Sequence, residues 1–228
     1  MSTFKLIFFL ISFQLMANSD FEKAEQLFQK GKYVEAKAVF SSYLKSNPNH
    51  TKTLEYLGDI YGKEKNWDEA IFYYDKIKSQ YPKNADYHYK FGGAMGMKAK
   101  ESNKFKALGM IDEIEKSFLT ASKLDSKHID SRWALVMLYI ELPGIVGGSE
   151  TKAQKYAAEL MNLSKVDGYL AKGYIDEYFK RFRNAEENYM IAHEIGNSKN
   201  TFQKLYDLYK NKFKQPQKAE ALKNKFEK

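Results

Sequence analysis

The chain contains no cysteine, which excludes a disulfide framework and any thiolate metal site. Histidine is almost as scarce. His50, His88, His128 and His193 stand far apart, no HExxH pair occurs, and no metal is expected. There are four prolines in 228 residues, so little interrupts a helix. The chain has one long apolar run, at its start. No later segment approaches the roughly 20 residues that a membrane helix needs. A GxSxG elbow and an evident Ser/His/Asp set are both missing. Most carboxylates lie beside lysines at positions that suit solvated helix faces. Neither a catalytic residue nor a cofactor is expected.

What remains is a globular balance, 43% hydrophobic and 29% charged, rich in residues that favour helices. MSTFK, the apolar LIFFLISFQLM and the small residues Ala17-Asn18-Ser19 form a secretory signal pattern over residues 1–19. The mature chain is expected to begin near Asp20, outside the cytoplasm, in the periplasm or secreted, with no membrane span after cleavage. The formal charge is +8. Much of it lies in residues 200–228, where eight lysines face only Asp207, Glu220 and Glu227. This tail reads as a solvated helix pair or as a weak contact for an anionic surface. No nucleic-acid module interleaves its lysines with aromatics, so nucleic acid is not an expected partner.

Internal periodicity organises the rest. In TKTLEYLGDIYGKEKNWDEAIFYYDKIKSQYPKN, residues 51–84, Leu54, Leu57, Gly58 and Tyr61 fall on one helical face. Trp67, Ala70, Tyr74 and Ile77 fall on a second, and Pro82 stops it. Gly58 and Ala70 are small where two helices must approach closely, and Tyr61 and Tyr74 fill space toward the adjoining repeat. This pattern resembles the tetratricopeptide repeat, a helix–turn–helix unit of about 34 residues. The resemblance implies an all-α fold, a right-handed α-solenoid of tetratricopeptide-type helix pairs. The expected units are 17–50, 51–84, 85–128 with an insertion, 129–165 with an insertion, 166–199, and a degenerate capping pair at 200–228.

Both insertions fall between the two helices of a unit. The first, MKAKESNKFKALG over residues 97–109, is basic, and either lengthens the first helix or adds a short segment. The second is PGIVGGS, residues 143–149. RWALVMLYIELPGIVGGSETKA, residues 132–153, resembles a subgroup of exported bacterial tetratricopeptide proteins with a P-G-I-x-G-G loop. No activity is implied by that resemblance.

Pro143 should end one helix, Gly144, Gly147 and Gly148 should permit positive φ, and Ser149 should cap the next helix above Glu150. A helix start of this kind can hold an anion, but the spacing is not that of a P-loop, and Glu150 would repel a phosphate. The loop is therefore either an architectural join or a contact site anchored by Ile145 and Val146. As a join, it should tuck that pair back against the helices.

In the fold this resemblance implies, the first helix of each unit lines the binding face. Candidate lining residues are then Lys52, Glu55, Asp59 and Lys63, then Tyr89 and Met97, then Trp133 and Met137, then Tyr174, Glu177 and Tyr178. Tyr and Met at helical spacing also suit packing between units. The carboxylate clamp of some chaperone-binding relatives is not expected, because Phe21, Glu25, Tyr56 and Asp86 occupy its positions. The expected function is a non-enzymatic, exported scaffold for a protein or peptide partner. The alternative is a transport-associated small-ligand binder that uses the PGIVGGS region.

Overall fold

The computed structural model describes residues 20–227, and the expected leader at 1–19 lies outside the described residues. Among these, every regular element is helical and none is a strand. The architecture is an all-α solenoid of tetratricopeptide-type helix pairs. The helices fall into two compact units that divide between Ser117 and Phe118.

The first unit contains α1 (residues 20–29), α2 (Tyr33–Ser46), α3 (Thr51–Lys63), α4 (Trp67–Gln80), α5 (Ala85–Glu101) and the five-residue α6 (Lys104–Leu108). Ala24, Ala36, Phe40, Leu57 and Ile60 form one core among α1, α2 and α3. Leu54, Ala70, Tyr74, Ile77, Phe91 and Ala94 form the next, among α3, α4 and α5. The first insertion takes both expected forms: α5 runs to 17 residues, and α6 follows it.

Helix α7 (Ile111–Leu124) runs across the division. The second unit continues with α8 (Ile129–Glu141), a 3-10 turn at Gly144–Val146, α9 (Glu150–Leu163), α10 (Lys165–Tyr178) and α11 (Phe182–Gly196). It ends in α12 (Lys199–Asp207), a π-helical turn at Leu208–Lys212 and α13 (Pro216–Phe226). Leu170, Ala185, Tyr189, Ala192, Leu205, Leu208, Tyr209 and Ala219 form its main core. Tyr139 and Tyr156 stack between α8 and α9, with ring centroids 5.9 Å apart.

Polar residues set the helix starts. Asn66, Asn84, Asn103, Ser149 and Ser164 each accept a backbone N–H of the first turn, as N-caps do. Two histidines do the same. The His50 ring accepts from Thr53 N at 3.3 Å, and His128 accepts from Ser131 N at 3.0 Å. Arg132 is buried, bonding Glu159 of α9 at 3.0 Å and the His128 carbonyl at 3.0 Å. The arginine of the RWAL segment is therefore a tie between helices.

Besides Gly147 and Asn197, four turns place a residue at positive φ: Gly31, Lys65, Lys180 and Lys214. The first two are one repeat apart, and so are the last two. Only the first is glycine, so the remaining lysines hold a conformation unfavourable to side chains.

Candidate functional site

The candidate lining residues were placed by register alone. In the first unit, the structure brings their two helices, α3 and α5, together. Lys90 of α5 reaches back to α3, with its ammonium 2.8 Å from Glu55 and 2.8 Å from Asp59. Asp59 also accepts the Tyr74 hydroxyl at 2.6 Å. One repeat earlier, the Tyr56 hydroxyl donates to Glu25 at 2.6 Å. Tyr56 and Lys90 share a repeat position, as do Glu25 and Asp59, so one inter-repeat bond recurs with different chemistry.

The electrostatics follow from this pairing. Burial alone would lower the Lys90 ammonium, but Asp59 and Glu55 outweigh it and hold it above the ordinary lysine value. Burial and the Glu25 carboxylate push the Tyr56 hydroxyl up to about 12. Burial, with Asp59 beside it, raises Tyr74 far beyond the usual phenol range. Glu55 and Asp59, expected to meet a partner, are thus bonded within the fold. Lys63 sets its ammonium 5.0 Å above the Tyr33 ring. Tyr89 is half-buried, while Lys52 and Met97 stay exposed.

The second unit repeats this outcome. Trp133 packs against the main core and donates its indole N–H to Asp167 at 2.8 Å. Tyr174 donates to Glu141 at 3.0 Å, and Glu177 accepts the Tyr189 hydroxyl at 3.0 Å. Burial and Glu141 raise the Tyr174 hydroxyl. Met137 on α8 and Tyr178 on α10 remain open, 39% and 49% exposed, on helices that pack together.

The PGIVGGS loop corrects two expectations. Ile145 is not tucked back; it is 94% exposed, because the 3-10 turn points it outward while Val146 stays half-buried. Of the three loop glycines only Gly147 has positive φ, +101°. Gly148 is needed for another reason: a Cβ there would collide with the Leu142 carbonyl. A Cβ at Gly144 would meet open space.

Ser149 caps α9 as expected, with its hydroxyl accepting from Lys152 N at 3.2 Å. Four of the loop amides are already used, those of Val146, Gly147, Gly148 and Ser149. Val146 N and Gly148 N donate to the Pro143 carbonyl, and Ser149 N donates to the Tyr139 carbonyl at 2.8 Å. Glu150 lies 2.6 Å from Arg181, whose hydrogen bond lowers its pKa. Arg181 in turn bonds Asp176 at 2.7 Å. The first turn of α9 thus carries the chain's own carboxylate, held by Arg181, which disfavours a second anion there.

Register alone missed Glu25, Lys90, Asp167 and Glu141. A 34-residue shift from Tyr56 and Asp59 would have reached Lys90 and Glu25, a signal left unused. Nothing in the sequence pointed to the exposed Phe72 on α4, which with Ile71, Asp75 and Phe91 lines a surface groove of about 740 Å³.

Residues 27–90 match the family described as Tetratricopeptide repeat. No curated protein matches the chain. Among solved structures, the chain is similar to TTC0263, a thermophilic tetratricopeptide protein of Thermus thermophilus. That match has a TM-score of 0.67 at 15% identity, covering 84% of this chain and 98% of that one. It is also similar to a tetratricopeptide repeat protein of Parabacteroides merdae ATCC 43184, with a TM-score of 0.65 at 16% identity, covering 92% of this chain and 78% of that one. The human IFIT1 dimer with m7Gppp-AAAA gives 0.66 at 17% identity, covering 91% of this chain and 53% of that one. At such identities the likeness is one of fold.

Proposed function

We propose that the chain is an exported, non-enzymatic scaffold that holds a protein or peptide partner in the cell envelope. The observation that carries this reading is the contrast along the first helices of the second unit. Their polar candidates are tied to other residues of the fold, Trp133 to Asp167, Tyr174 to Glu141 and Glu177 to Tyr189, whereas Met137 and Tyr178 on the packed pair α8 and α10 stay exposed. Methionine and tyrosine are adaptable apolar anchors that suit a peptide or helix. The tetratricopeptide-type fold favours a scaffold, and the signal pattern at residues 1–19 favours export to the periplasm or beyond. Ile145 offers a further anchor at the loop. The lysine-rich helices α12 and α13 add a weak contact with anionic surfaces.

The small-ligand reading has less support, because Val146, Gly147, Gly148 and Ser149 already donate their amides within the protein and Glu150 sets a carboxylate in the first turn of α9. The test is co-purification from the native envelope with wild type and with Met137→Glu/Tyr178→Glu. A stoichiometric partner lost in the double variant at unchanged melting temperature supports the scaffold. A partner retained by the variant removes these residues from the interface. A metabolite that stabilises the chain by about 2.7 kcal/mol at a hundredfold excess over its Kd would favour the ligand reading instead.

A further inference from the structure

We propose that the first insertion, residues 97–109, is a contact for an anionic lipid surface, seating Phe105 and Leu108 among the headgroups. Phe105 is 88% exposed and Leu108 46%, and neither belongs to a core of the first unit. In the single turn of α6 these two side chains lie within about 60° of each other, and Lys104 and Lys106 border them. Asn103 holds the turn by capping Lys106 N at 3.0 Å. Lys98 is paired with Asp68, and Glu101 is the one acid in the insertion. The ammonium groups of Lys104 and Lys106 meet no carboxylate among the described residues.

An exposed aromatic and an aliphatic side chain bordered by lysines match both layers of an anionic interface. The apolar pair enters the acyl boundary, and the lysines stay with the phosphates. A five-residue turn is too small for a stable protein interface, which buries about 800 Å² on each partner. It suffices for reversible binding to a surface that presents many identical headgroups. This contact is separate from the anchors on α8 and α10, so either can fail without the other.

Because the chain has no cysteine, Leu108→Cys in the full chain takes a single environment-sensitive fluorophore at the tip of the insertion. Vesicles of phosphatidylcholine with phosphatidylglycerol should blue-shift its emission, and vesicles of phosphatidylcholine alone should not. Lys104→Gln/Lys106→Gln should raise the half-saturating lipid concentration about 25-fold, at about fivefold per lysine. Phe105→Ser should raise it at least about tenfold. All variants should keep the wild-type melting temperature, since these side chains are exposed. The label reports only its own surroundings, so lipid contact through residues 1–19 does not move it. An unshifted label on vesicle-bound chain would overturn the proposal. So would an equal shift with neutral vesicles, or a shift that rises with protein concentration without lipid and so marks a protein contact.

Discussion

A Cβ placed on Gly58 would stand 2.6 Å from Cε1 of Tyr74, inside a core where the Tyr74 hydroxyl is tied to Asp59. Gly173 stands in the same relation to Tyr189, whose hydroxyl is tied to Glu177. The glycine is where the second helix of each pair lays its tyrosine ring, and the hydroxyl bond keeps that ring from swinging away. Gly58→Ala and Gly173→Ala should each lower stability by about 1–3 kcal/mol in urea titrations, as overpacking does. In the Tyr74→Leu background, Gly58→Ala should cost clearly less.

The three loop glycines should separate by cause. Gly148→Ala drives a methyl group into the Leu142 carbonyl and should cost the most, about 2 kcal/mol or more. Gly147→Ala faces only its positive φ and should cost about 1 kcal/mol. Gly144→Ala should be neutral within about 0.5 kcal/mol. Thermal melts of the three variants check the order.

Much of the fold was legible because repeat packing is written in small residues and rings at fixed spacing. Gly58, Ala70 and Tyr74 give the helix pair, and Pro82 ends it. The site was less legible, because register says which side chains share a face but not which ones bond each other. Lys90 drawing Glu55 and Asp59 together is a tertiary event. Nor could the sequence show that Lys65, Lys180 and Lys214 hold the conformation of Gly31, since lysine carries no turn signal.

Those three lysines give a stabilising prediction. Replacing Lys65, Lys180 or Lys214 with glycine relieves a left-handed conformation and should raise stability by up to about 1 kcal/mol each, after glycine's own entropy cost. The denaturation midpoint should rise, and the effects should add because the turns are far apart in sequence.

Burial lowers His50, whose ring nitrogen must stay unprotonated to accept from Thr53 N. Burial and then Lys225 lower His193. The unfolded chain therefore binds protons that the folded chain refuses. The contribution is complete above the unfolded histidine value of about 6.5 and is lost as pH falls below it. Melting temperature should drop on acidification through that range. His50→Asn, which keeps a capping side chain, should flatten part of the drop.

Central to the proposed function is a partner held by exposed apolar side chains on the first helices of the second unit. The most direct measurement is the affinity of the co-purified envelope partner for wild type and for Met137→Glu/Tyr178→Glu, with melting temperature followed in parallel. The expected result is at least about a tenfold loss of affinity at unchanged melting temperature, because truncating or charging a central anchor costs more than about 1–2 kcal/mol. Equal affinity in the two proteins, or a native envelope that yields no stoichiometric partner, would contradict it.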